Sequence, residues 1–102
     1  FDQIGLIITD TFGRAWRQGQ VNFAIGVGGM DPLVDYRGQV DTTGAELTAT
    51  VIAIADEIAA VSELVMGKTD AVPAAIIRGY PFKATGAGVS PLLRDKAEDL
   101  FR

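Results

Sequence analysis

Cysteine and histidine are both absent from this 102-residue chain. Without cysteine there is no disulfide framework, no thiolate zinc site and no cysteine nucleophile, which fits a reducing compartment, with the cytoplasm as the expected location. Without histidine the usual proton shuttle is missing. A basic surplus is lacking too: 9 Lys and Arg against 13 Asp and Glu leave a net charge of -4, which excludes the global positive surface of a general nucleic-acid binder. Long apolar runs are scarce. The longest, around residues 51–60, is interrupted by Asp56 and Glu57 and falls short of the roughly 20 apolar residues that a membrane span requires. No secretory signal pattern is found. The length allows one ordinary domain. Because the first residue is Phe1 and the chain opens directly on a strand-like run, it is expected to be a piece of a longer protein, left by truncation or proteolysis.

Among what is present, residues 4–17, I-G-L-I-I-T-D-T-F-G-R-A-W-R, are the most informative. Residues 4–9 read as a short buried strand, dense in isoleucine, that stops at an Asp-Thr-Phe-Gly turn. Residues 21–27 alternate enough for a second strand, after which Gly26, Gly28 and Gly29 let the backbone bend or approach a neighbour closely. Residues 30–44 carry proline, glycine and aspartate at turn spacing, with a short strand near residues 33–36. One long helix is predicted over residues 45–66, because Leu47, Val51, Ile54, Ile58, Val61 and Val65 recur at steps of four and three. Alanines on its flanking faces allow close approach of a second layer or a partner chain. Gly67 suits its C-terminal cap, with Lys68 near the negative end of the dipole. A third strand is expected over residues 74–77, then a glycine-rich stretch, then a short charged helix over residues 91–101 with proline in its first turn.

At the end of the first predicted strand, Asp10 and Thr11 supply hard oxygen ligands, while Arg14 and Arg17 supply anion-binding forks. The combination points to a metal with a phosphate or carboxylate. The competing reading is a plain strand-ending turn with Asp10 capping local amides. A second loop repeats the mixture in Asp35, Tyr36, Arg37, Gly38, Asp41 and Gly44, where the plain alternative is a solvated turn with Asp41 or Thr43 capping the helix. Asn22 is polar inside an apolar strand, either a satisfied edge residue or a substrate contact. Two nucleotide motifs fail. Gly67-Lys68-Thr69 has Ser62 where a phosphate loop needs its first glycine and follows a helix instead of preceding one, and Gly26-Val27-Gly28 has Asp31 at the last glycine of the dinucleotide fingerprint.

Taken in order, I-I-T-D-T-F-G-R-A-W-R-Q-G-Q-V-N-F-A-I-G, D-Y-R-G-Q-V-D-T-T-G-A-E-L, A-D-E-I-A-A-V-S-E-L-V-M-G-K-T-D-A-V-P, I-I-R-G and the closing E-D-L-F-R resemble the coenzyme F420-0:L-glutamate ligase family over nearly the whole chain. The likeness is to the C-terminal part of that gamma-glutamyl ligase domain. It implies a single partial domain over residues 1–102 of α/β (α+β) class, with short strands packed on one long helix in an intertwined homodimer. It further implies a GTP-dependent enzyme that adds L-glutamate to coenzyme F420-0, with Mn2+ or Mg2+ held by Asp10 and Thr11. The loop after the long helix, Met66, Gly67, Lys68, Thr69 and Asp70, inherits contacts to the nucleotide. Arg14, Arg17, Asn22, Asp35, Tyr36 and Arg37 are candidates for substrate or phosphate, with Asp35 a candidate base. The family's other metal-binding aspartate and a nucleotide-binding asparagine, in a D-x-S-N block, lie upstream of the first strand and have no counterpart here, so the isolated chain is expected to be inactive. Some members continue into a flavin-binding domain. The rival expectation is a non-catalytic dimerisation module or a proteolysis-resistant core.

Overall fold

The computed structural model describes residues 3–98. Isoleucine, valine and threonine favour extended backbone, and the opening segment of the chain accordingly forms an antiparallel hairpin, β1 (Leu6–Arg14) and β2 (Arg17–Gly28). Ala15 and Trp16 connect the paired Arg14 and Arg17, and Trp16 takes a left-handed φ of 58°. The Arg14 guanidinium donates to the Gln18 carbonyl at 2.8 Å and ties down this tip. Both strands outrun their predicted limits. Asp10, Thr11, Phe12 and Gly13, expected as a turn, pair in register with Phe23, Asn22, Val21 and Gln20, so cross-strand pairing overrides the local turn chemistry of Asp-Thr-Phe-Gly. A register shift between Ile8 and Thr9 leaves Ile25 as the extra residue of a bulge.

A second, minimal sheet pairs β3 (Val34–Asp35) with β4 (Val51–Ile52). Between them the chain makes an arm. Tyr36 N–H donates to the Thr50 carbonyl, Gly38 N–H to Leu47 and Leu47 N–H to Gln39, and Val40 bridges Glu46. At the tip, the Asp41 carboxylate accepts from the Thr43 hydroxyl at 2.6 Å and from the Thr43 and Ala45 amides. These bonds hold the Asp41 carboxyl below its usual range, the hydroxyl contributing most. Asp41 therefore caps a turn and not the helix.

The helix is the main correction to the sequence reading. It is predicted from Ala45, yet α1 spans Ile54–Met66. Leu47 and Val51 continue the helical spacing, but Thr48, Thr50, Val51 and Ile52 are β-branched, and the segment folds back on residues 34–41 as the return limb of the arm. The start of α1 is tied to the chain before it by the Ala55 amide, which donates to the Pro32 carbonyl at 3.1 Å, and Asp56 and Glu57 complement the positive end of its dipole. Gly67 closes it with φ 59° and an N–H bond to Glu63.

Packing of α1 also departs from expectation. Ala55 and Ala59 are its buried residues, and α1 lies across β2. The stripe of Ile54, Ile58, Val61 and Val65 points roughly 110° away round the helix at about 100° per residue. Ile54, Ile58 and Val61 line a shallow groove with Ile77 and Tyr80, and Val61, Val65 and Leu64, the last at 86% exposure, open to solvent. Small side chains thus set the helix on the hairpin, and the larger ones are left outside. The opposite face of the hairpin is similarly open, with Ile4, Leu6, Ile8, Phe12 and Ile25 exposed. The largest fully buried side chains are Asn22 and Pro32.

Beyond α1 the path is irregular except for single 3-10 turns at Ser90–Leu92 and Lys96–Glu98. The strand expected over residues 74–77 is absent from the described residues. Ile76 is exposed and finds no partner ladder. The helix expected over 91–101 shrinks to those two turns, and residues 99–101 lie outside the described residues. The mixed α/β character holds, with two small antiparallel sheets and one α-helix among the described residues. Among the described residues, no helix is long and apolar enough to cross a membrane.

Candidate functional site

Alternation along β1 separates the two candidate metal ligands. Asp10 is exposed and Thr11 half-buried, because successive strand residues point to opposite faces. Asp10 stands on the open face, between Ile8 and Phe12 of its own strand and opposite Phe23. Phe12 and Phe23 stack there with centroids 4.4 Å apart. One oxygen of the Asp10 carboxylate accepts the Thr11 amide at 2.8 Å. A carboxylate is a hard donor suited to Mg2+ or Mn2+. Among the described residues no three acidic side chains converge on a point. Thr11 shares the helix-facing side with Asn22, so the two expected ligand side chains do not converge.

On the helix side, Thr11 pairs across the hairpin with Asn22, whose side chain is 2% exposed. Asn22 Nδ2 donates to Glu63 Oε2 at 3.3 Å, while its Oδ1 is buried without a partner. The Glu63 carboxylate also meets Lys68 Nζ at 3.6 Å. Ala24, two residues along β2, sends its amide to Asp56 Oδ1 at 2.9 Å, so two acids of α1 satisfy donors of β2. The structure thus draws Thr11, Asn22 and Lys68 into one neighbourhood. Gly67, Thr69 and Asp70 follow in the loop, with an Asp70 oxygen 4.0 Å from where a Gly67 Cβ would stand, and Met66 ends the helix half-buried.

The remaining candidates lie elsewhere. Arg14 and Arg17 sit at the hairpin tip, four strand residues or about 13 Å beyond Asp10. Arg14 Nε is buried without a hydrogen bond, and Arg17 is exposed. Asp35, Tyr36 and Arg37 belong to the arm. Arg37 grips Asp35 with Nε–Oδ1 at 2.9 Å and Nη2–Oδ2 at 2.6 Å. That hydrogen bonding, chiefly from the Arg37 side chain, holds the Asp35 carboxyl down at about 2, so it is a poor base near neutral pH, and the guanidinium is already engaged. Tyr36 lines a cleft of about 310 Å³ with Leu33, Tyr80, Phe82 and Lys83.

Sequence reasoning overlooked Glu63 and Asp56. For Glu63 a signal existed: an acid in the last turn of a helix opposes the dipole, and a basic residue is missing from that turn. Such a residue calls for a compensating partner, and Lys68 supplies it.

Comparison with known proteins is decisive on ancestry. The sequence model of F420-0:Gamma-glutamyl ligase matches residues 2–79. Coenzyme F420:L-glutamate ligase of Methanothermobacter thermautotrophicus is 48% identical over 103 residues, covering 98% of this chain and 41% of that protein. The Methanocaldococcus jannaschii protein of the same name is 47% identical over 103 residues, again covering 98% and 41%. That of Archaeoglobus fulgidus is 43% identical over 101 residues, covering 98% and 40%. The chain therefore spans about two-fifths of the length of these relatives. A family match over most of the chain, joined to identities of this size, shows that it belongs to the F420-0:gamma-glutamyl ligase family.

Proposed function

We propose that this chain forms part of a GTP-dependent ligase that joins L-glutamate to coenzyme F420-0, first by an amide and then by a gamma-glutamyl bond, in F420 biosynthesis in the cytoplasm. The observation that carries the proposal is 43–48% identity over 98% of the chain to coenzyme F420:L-glutamate ligases. A carboxylate oxygen of the acceptor attacks the γ-phosphorus of GTP, GDP leaves, and an acyl phosphate forms. The amine of glutamate then attacks that carbonyl, phosphate leaves, and the ammonium proton passes to solvent or to a base outside the described residues.

The metal fits Asp10 by its donor chemistry. An isolated acid in the middle of an apolar face becomes costly once that face is covered, unless a cation accompanies it. Mn2+ or Mg2+ held at Asp10 and Thr11 would supply charge neutralisation between triphosphate and carboxylate. Lys68, in the loop of Met66, Gly67, Thr69 and Asp70, faces the nucleotide phosphates. Arg14 and Arg17 serve an anion at the hairpin tip, remote from Asp10 along the strand.

Full-length ligase supplied with GTP, Mn2+, coenzyme F420-0 and glutamate should form the glutamylated product, and residues 1–102 alone should not. Product from neither would end the proposal. One observation favours a second reading, an assembly module without catalysis of its own. The open faces around Ile8 and Leu64 are apolar and suit burial in a homodimer. Sedimentation of the full-length protein as a monomer would sink that second reading.

A further inference from the structure

Glu63 makes three contacts that converge on the loop after α1. Its main-chain oxygen accepts the Gly67 amide at 3.0 Å, its carboxylate accepts Asn22 Nδ2 at 3.3 Å, and the same oxygen lies 3.6 Å from Lys68 Nζ. Asn22 is nearly inaccessible and fixed on β2, so the carboxylate has a buried anchor on one side and an exposed lysine on the other. Lysine carries a flexible four-carbon stem, and holding its ammonium in one place costs rotamer entropy. We infer that Glu63 is a positioning residue: braced by Asn22, it fixes the Gly67 turn and aims the Lys68 ammonium toward the phosphates of the bound nucleotide. Its role rests on the proposal that loop 66–70 meets the nucleotide.

A merely structural acid would affect stability and leave the coupling to Lys68 untouched. The placement of Glu63 argues for more. In the last turn it opposes the helix dipole, so it is a poor choice for helix stability. Asn22 buries an oxygen with no partner in order to present its amide to Glu63, at a cost that a simple apolar contact would avoid. Both are expensive for the fold and are explained by what they do to Lys68.

The test is a double-mutant cycle in the full-length ligase, read as the dissociation constant of a fluorescent N-methylanthraniloyl GTP with Mg2+ present. Glu63→Gln keeps an acceptor for Asn22 and removes the charge beside Lys68. Nucleotide binding should weaken by roughly two- to five-fold, the range for a half-exposed ion pair. In a Lys68→Met background the same substitution should change binding by less than about 1.5-fold, because sites that act through one another are not additive. Equal factors in both backgrounds, or unchanged binding in Glu63→Gln, would overturn the inference. Should Glu63→Gln fail to fold, Glu63→Asp, which withdraws the charge by one methylene, enters the cycle in its place with the same expected non-additivity. Failure of the wild-type ligase to bind the GTP probe would instead strike the nucleotide proposal itself.

Discussion

Replacing Gly29 with alanine should be severe, while the same change at its neighbour Gly28 should be nearly silent. Gly29 follows β2 at φ +74°, and a Cβ there would lie 2.6 Å from the Ile4 carbonyl oxygen. The left-handed conformation alone costs about 1–2 kcal/mol for a residue with a side chain. The close contact is with the backbone leading into β1, which must give way, adding about 1–3 kcal/mol as in other overpacked sites. At Gly28 nothing lies within 4 Å and φ is not positive. Alanine there gains up to about 1 kcal/mol by restricting the unfolded chain. The two variants should therefore differ by about 2 kcal/mol or more. In a protein of about 150–250 residues each kcal/mol moves the melting temperature by roughly 2–4 °C, giving a gap of roughly 4–8 °C or wider. Thermal melts of the two full-length variants side by side provide the measurement. Melting temperatures that agree to within about 2 °C would show that the chain does not pass this close to the first strand.

Asp10→Ala in the full-length ligase should abolish metal-dependent glutamylation while shifting the melting temperature by less than about 2 °C, since an exposed side chain with one local hydrogen bond contributes little to folding; wild-type turnover would remove Asp10 from the site. Ala59→Leu should destabilise by about 1–3 kcal/mol, seen as a lowered denaturant midpoint, because the helix approaches β2 through its alanines; a neutral outcome would mean that the aliphatic stripe makes the contact. The Asp35 carboxyl should titrate at about 2 by carbon NMR and return toward 3.8 in Arg37→Gln. Since the folded value lies below the ordinary one, the stabilisation is present above about pH 3.8 and is lost as pH falls toward 2. A wild-type midpoint near 3.8 would refute the bidentate pairing.

The hairpin was legible because its signal is compositional: Ile7, Ile8, Val21 and Val27 favour extended backbone wherever the turn falls. Its limits were not, since Asp10 and Gly13 carry turn chemistry that only pairing with Phe23 and Gln20 overrides. The helix illustrates a sharper limit. Leu47 and Val51 continue a spacing that α1 uses only from Ile54 onward, and periodicity cannot tell a helix from a β-branched limb that happens to share its phase. The inward face was misread for a related reason. Apolar size usually marks the buried side, but here Ala55 and Ala59 are inside and Val65 is out, so what faces the hairpin is the side that allows close approach. For the site, family likeness nominated Asp10, Thr11 and the loop from Met66 as candidates, whereas the link from Asn22 through Glu63 to Lys68 starts from residues 41 positions apart and is invisible without coordinates.

The arm of residues 34–52 is fastened by a handful of main-chain bonds, with Asp41 knotting its far end. Regions tied in this way open on their own, at a free energy far below that of global unfolding. Amide protons of Gly38 and Leu47 should accordingly trade for deuterium while that of Ala55, closed onto Pro32 in the buried part of the molecule, is still retained. Because Tyr36 roots the arm beside Tyr80, any small molecule lodged between those rings would slow the exchange, turning the arm into a reporter of occupancy.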